Sequence, residues 1–187
     1  GSTSAGSISV SGGTKFLEDL YCNSISTSGS CKVEGKLRAE QIRVSGALSV
    51  NKRLEAENIS LSGVLKAFEL EAEEFKGSGI FNIQELLTAD NIDIELGGKC
   101  EAKELGGESI SVKRGTGTRG FLQGFFNFGF NEGTLEAEAI EGDEVYLENT
   151  KAKVVRGGKI VIGPGCQIEQ VEYAETVQIS KDSKVSS

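Results

Sequence analysis

Histidine, methionine and tryptophan are absent from this 187-residue chain, and proline occurs once. Without an imidazole there is no side chain that titrates unperturbed near neutral pH, no Ser-His or Cys-His pair and no histidine metal ligand, which removes much of the enzymatic repertoire. No apolar run reaches the roughly 18 residues of a spanning helix, and the start lacks the charged-then-apolar layout of a secretory leader. The chain therefore reads as soluble and cytoplasmic. Basic residues are the minority, 20 against 28 acidic, for a net charge of −8 and a pI near 4.8. They are scattered rather than clustered, which opposes binding to a phosphate backbone, so nucleic acid is not an expected partner. Cys22, Cys31, Cys100 and Cys166 show neither CxxC spacing nor the density of a secreted disulfide scaffold, and read as core or corner thiols. No cofactor and no metal is expected. Residues 1–7, beginning Gly-Ser, read as a tag scar or tail.

What the chain has is a repeat. Ile-x-x-Ser-Gly phrases, ISVSG, ISTSG, IRVSG and ISLSG, start at Ile8, Ile25, Ile42 and Ile59, each about 17 residues after the last. Between them run Leu-x-Ala-x-x-Ile phrases from Leu37, Leu54, Leu70, Leu87 and Leu135. A period this short means a solenoid, in which each repeat buries its apolar face only by stacking on its neighbours. With the phrase isoleucine as origin, one column reads Ile8, Ile25, Ile42, Ile59, Phe75, Ile92 and Ile110. A second reads Val10, Thr27, Val44, Leu61, Gly77, Ile94 and Val112, and a third Phe16, Val33, Val50, Ala67, Ile83 and Cys100. The leucine and alanine of the second phrase supply the last inward pair. Alternation over three or four positions marks a short strand with one buried face, so each rung offers three strands. The recurring Ser-Gly pair suits a corner, where glycine tolerates positive φ. The expected fold is all-β: a single-stranded triangular β-helix of about 17 residues per rung, one domain over residues 8–187.

One insertion, at about 115–133, interrupts it. It holds Phe121, Phe125, Phe126, Phe128 and Phe130, five of nine phenylalanines, and so much aromatic surface needs cover from its own solenoid, a partner protein or a membrane surface. The stretch Gly115-Thr-Gly117-Thr-Arg-Gly120 matches a dinucleotide fingerprint in letters, but no helix or second βαβ strand follows it, so nucleotide binding is not expected. Glu40, Glu57, Glu73, Asp90 and Glu138 share one place in the Leu-x-Ala phrase and predict an outward acidic column, read as solvated charge that discourages lateral aggregation. Ser11, Ser28, Ser45, Ser62 and Ser78 predict a hydroxyl ladder at a corner. No base accompanies these serines, and no enzyme activity is expected.

A solenoid exposes unpaired backbone groups around an apolar cross-section at each end, and neither terminal stretch here reads as a capping helix. End-to-end association through Ile8, Val10, Phe16, Val177 and Ile179 is the physical expectation. The tandem IxVSG and LxAxxI phrases over Ile8 to about Ile179 resemble the bactofilins, polymer-forming bacterial cytoskeletal proteins, and the run EGDEVYLENTKAKVVRGGKIVIGPGCQIEQVEY looks like the branch found in bacilli. The resemblance implies a right-handed triangular β-helix that polymerises through its terminal rungs without nucleotide, as a scaffold in cell-shape, division-related or motility processes; the expected location is the cytoplasm, with the inner face of the cell membrane as the alternative. Self is then the main partner. The competing expectation is a non-polymerising module whose phenylalanine-rich insertion docks a protein partner or the membrane surface.

Overall fold

A computed structural model of the chain describes residues 1–115 and 133–186. The chain is all-β and contains no helix among the described residues: it winds as a β-solenoid of about 10 turns with about 17 residues per turn. The strands are β1 (Ser2–Val10), β2 (Gly13–Phe16), β3 (Asp19–Thr27), β4 (Ser30–Val33), β5 (Leu37–Val44), β6 (Ala47–Leu61) and β7 (Val64–Gly77). They continue as β8 (Ile80–Leu96), β9 (Lys99–Arg114), β10 (Thr134–Leu147), β11 (Thr150–Ile162), β12 (Gln167–Ile179) and β13 (Lys184–Val185). β1, β3 and β5 each turn one corner and serve two faces, and β6 to β12 run continuously over all three. Every ladder is parallel, and each rung pairs with the next along the axis.

The register explains why the repeat folds. Ile8, Ile25, Ile42, Ile59, Phe75, Ile92 and Ile110 pair in succession, and the column runs on through Val145, Ile160 and Val177. The second expected column likewise continues from Val112 through Leu147 and Ile162 to Ile179. These interior side chains form one core that fills the solenoid from Val10 to Ile168. Stacked isoleucines and leucines each contribute about 1.5–3 kcal/mol on burial, which a lone rung could not set against the entropy of ordering its residues.

Three expectations are corrected. Cys100 does not end the third column: Asn82 pairs with Glu101 and Ile83 with Ala102, so Ala102 takes that place. The pairing separation there is 19 rather than 17, because this rung holds extra residues at its corners. The Ser-Gly corners do not need glycine for positive φ, since the only described glycines with positive φ are Gly77 and Gly165. They need it for room. A Cβ on Gly29, Gly46 or Gly63 would overlap the carbonyl oxygen of Gly12, Gly29 or Gly46 respectively. The corner amides continue the ladder, Ser28 and Gly29 both donating to the Val10 carbonyl at 2.8 and 3.1 Å. Finally, β1 begins at Ser2, within the stretch read as a tail, and Ser2 to Ala5 pair with Asp19 to Cys22. Ladder bonds are made by backbone groups, so small polar residues can form a rung edge as well as apolar ones.

Candidate assembly surfaces

The five residues expected at the ends lie in two groups at opposite edges of the sheet order, three on β1 and β2 and two on β12. Val10 is buried, Ile8, Phe16 and Val177 are half-buried against the core, and Ile179 is 48% exposed. One rung inward from Ile179, Ile162 is 1% exposed. The difference is the missing neighbour: an interior residue is covered by a rung on each side, and an edge residue by one. Among the described residues, the outer edge of β12 is paired only where β13 meets Gln167 and Ile168. Among the described residues β1 pairs only with β3. Tyr173, 55% exposed, adds an aromatic ring to the β12 end.

The phenylalanines Phe121, Phe125, Phe126, Phe128 and Phe130, and residues 116–120 of the glycine-rich stretch, lie outside the described residues. The place where the insertion departs is defined. A Cβ on either Gly115 or Gly133 would overlap the same Leu96 carbonyl, so both ends of the insertion leave from one corner, the one that Ser-Gly pairs form in earlier rungs. At its base the Tyr146 hydroxyl donates to Glu148 Oε1 at 2.6 Å and the Arg114 amide to Oε2 at 2.8 Å. Burial pushes the Glu148 carboxyl up, but these bonds and the Arg114 guanidinium outweigh it and hold the group below the usual glutamate range.

Of the acidic column, Glu40, Glu57, Glu73 and Asp90 each follow an alanine in the paired series Ala39, Ala56, Ala72 and Ala89, and all four carboxylates are exposed. Glu138 is not among them. Leu135 pairs with Cys100 and Ala137 with Ala152, which sets this last Leu-x-Ala phrase on a different face, where Glu138 meets Lys153 at 3.1 Å. The next place after Leu37, Leu54, Leu70 and Leu87 belongs to Leu105, which pairs with Leu87 and Ile140. The alanine series continues as Gly107, Gly142 and Gly157, and two open grooves of about 710 and 820 Å³ run along this corner. Carboxylates this open to water lack the enclosure that tunes a general acid or base. Elsewhere charges pair across rungs. Lys15 and Lys32 both reach Glu34, at 2.8 and 3.0 Å, and hold its carboxyl below the usual range by hydrogen bonding.

The serine column makes no hydroxyl-to-hydroxyl ladder at its corner. Ser28 and Ser62 hydroxyls donate instead to the Val10 and Val44 carbonyls one rung away, both at 3.4 Å. All four cysteines are free, with Cys31, Cys100 and Cys166 buried and Cys22 half-buried. Burial raises every one of these thiols, Cys100 to about 11, which makes them poor nucleophiles. Among the described residues no group of three or more histidine, cysteine or acidic side chains could hold a metal ion, and no helix is long and apolar enough to cross a membrane.

Among curated proteins the chain is similar to two uncharacterized proteins of Bacillus subtilis (strain 168). YhbF is 43% identical over 83 residues, 44% of this chain and 32% of that protein. YhbE is 44% identical over 89 residues, 47% of this chain and 35% of that protein. The chain thus spans about a third of the length of the curated relatives it matches. No family model and no solved structure matches it.

Proposed function

We propose that this protein is a structural, self-assembling scaffold of the bactofilin kind, which extends end to end through its terminal rungs without nucleotide and works in the cytoplasm. The observation that carries this reading is the continuation of the inward columns to both edges, where the side chain that would be 1% exposed inside the rod is 48% exposed at Ile179. Covering that edge with another rung restores the environment every interior rung already has, and supplies a full set of ladder hydrogen bonds. Catalysis plays no part in it. The test is sedimentation from micromolar to millimolar concentration of the chain with its native flanking residues, with electron microscopy of the assembled fraction. Thin unbranched filaments that shorten on Ile8→Glu or Ile179→Glu are expected, and a particle that stays monomeric throughout would end the reading.

A second reading is favoured by the concentration of five phenylalanines in one insertion. Here the solenoid is a rigid mount and the insertion docks a protein or the membrane surface. Deleting residues 116–132 should then abolish co-sedimentation with membranes or partner while leaving the solenoid folded and its assembly intact.

A further inference from the structure

The groove of about 820 Å³ on the flank of the solenoid contains a glycine that the fold does not require. Glu71, Thr88, Gly106, Glu141, Arg156 and Glu172 pair in succession as one outward column, which lacks a side chain only at Gly106. Gly107, Gly142, Gly157 and Gly158 line the same groove and are fixed by space: a Cβ there would come within 2.4, 2.8, 2.4 and 3.0 Å of a carbonyl oxygen one rung away. Gly106 is under no such constraint. A Cβ on it would meet only Thr88 Oγ1, at an ordinary 3.6 Å, and its φ is not positive. Glycine weakens the interior of a strand, and where neither a turn nor crowding calls for it, it marks close approach by something outside the strand.

The notch that Gly106 leaves is set among groups suited to a long cation. Glu104, two residues back on β9, and Glu141 and Asp143 on the next rung line it, and none of the three forms an ion pair among the described residues. Arg156, the one cation in the lining, is held by Glu172 at 2.7 Å. Leu86, 38% exposed and paired with Glu104, supplies an apolar wall, and Tyr173 an aromatic ring farther along. We propose that this groove docks an extended segment of a partner protein, with a lysine or arginine side chain seated over Gly106 and its charge among Glu104, Glu141 and Asp143. The site lies on the flank of the rod and stands independently of how copies of the chain associate.

The lining itself chooses this occupant. It carries four carboxylates against one guanidinium, so charge complementarity selects a cation. A bare metal ion is a poor match, because among the described residues no group of three or more histidine, cysteine or acidic side chains could hold one. A long side chain is a good one: its methylene stem covers Leu86 and the bare backbone at Gly106 while its head stays among the carboxylates. From Thr88 on β8 to Tyr173 on β12 the groove runs for about 19 Å, at about 4.8 Å per rung, which an extended chain of about six residues spans. The backbone of these rungs is already paired along the axis, so recognition falls to side chains.

The probe is a fluorescein-labelled eight-residue peptide in which arginine alternates with threonine, titrated with the parent chain at physiological salt and read by fluorescence polarisation. Its citrulline counterpart keeps the shape without the charge, and should bind the parent chain more weakly by about tenfold or more. Gly106→Leu fills the notch while leaving every charge in place, and should weaken binding of the arginine peptide by about tenfold or more; Glu141→Gln with Asp143→Asn should do the same. Glu57→Gln with Glu73→Gln removes as much charge from the other groove and should leave affinity within about twofold. Equal weakening by that control, or full binding by Gly106→Leu, would reduce the effect to attraction by an acidic surface and overturn the site. Absence of binding at millimolar peptide would overturn it as well. Spermidine binding as tightly as the peptide would make a free cation the occupant, and altered sedimentation of the unliganded chain on Gly106→Leu would make it a second copy; either overturns the partner. Melting curves check the fold of each variant, and the Glu141 and Asp143 substitutions carry the test where Gly106→Leu does not fold.

Discussion

Thr27 interrupts an otherwise apolar column. It pairs with Val10 on one side and Val44 on the other, is 1% exposed, and its Oγ1 has no hydrogen-bond partner among the described residues. Burying a hydroxyl without a partner costs about 1–3 kcal/mol by protein mutational data. Thr27→Val keeps the β-branched shape and replaces the hydroxyl by a methyl that both neighbouring valines can touch. It should therefore stabilise the protein by about 1–2 kcal/mol, a rise in melting temperature of about 2–4 °C per kcal/mol for a chain of this length. The midpoint of denaturant unfolding should move up with an unchanged slope, because the surface exposed on unfolding is the same.

A second threonine gives the control. Thr150 is equally buried, but its Oγ1 donates to the Glu148 carbonyl at 2.9 Å. There the same replacement removes a bond that is made, and Thr150→Val should destabilise by about 1 kcal/mol. Opposite signs for one chemical change at two buried threonines would be hard to obtain from propensity alone. If Thr27→Val were neutral or destabilising, the hydroxyl would have a partner, such as a buried water, and the energetic reasoning for this column would be wrong.

Four further outcomes follow from the same geometry. Gly46→Ala should cost about 1–3 kcal/mol or more, because its Cβ overlaps the Gly29 carbonyl, whereas Gly12→Ala, with nothing within 4 Å, should be near neutral in thermal melts. Glu148 is held low in the folded state, so its contribution is complete above the ordinary glutamate value and is lost as pH falls below about 4.3; Glu148→Gln should flatten the acid limb of unfolding midpoint against pH. Alkylation at pH 8 should modify Cys22 first and reach Cys31, Cys100 and Cys166 only on unfolding, and early loss of Cys100 would contradict its burial. Ile162→Ala should destabilise by about 2–5 kcal/mol and Ile179→Ala by clearly less, while only the latter should abolish any dependence of melting temperature on protein concentration.

The columns are legible in the sequence because a side chain facing inward from a rung must be apolar wherever the rung stacks, and Ile25, Ile42 and Ile59 recur at the separation of the ladder itself. Phase is legible only while that separation holds. Between Asn82 and Glu101 it is 19 and between Glu138 and Lys153 it is 15, and corner residues added or dropped there leave no mark in an apolar pattern. Leu135 therefore lies on a different face from the one its phrase predicts. One face takes pairs such as Leu48 with Val50, another takes Leu54 with Ala56, and a Leu-x-Ala phrase satisfies either. Ile8, Val10, Phe16, Val177 and Ile179 follow from column order alone, which is why they lie at the two edges. The use of glycine at the corners is not legible in the same way, because its letter does not distinguish freedom of φ from lack of space.

Corner glycine and open edge have a common origin. Parallel rungs sit about 4.8 Å apart with every carbonyl aimed along the axis at the next rung, so at a corner the carbonyl of Gly29 occupies the place where a side chain on Gly46 would begin. The same kinds of carbonyl and amide, with no further strand paired to them among the described residues, form the rim of β12 beyond Gln167 and Ile168. Close axial stacking thus fixes the residue type at the Ser-Gly corner, and under the proposed end-to-end reading it is also what lets the last rung accept one more. Because that acceptance uses backbone groups and a continued apolar column, it needs no dedicated binding pocket.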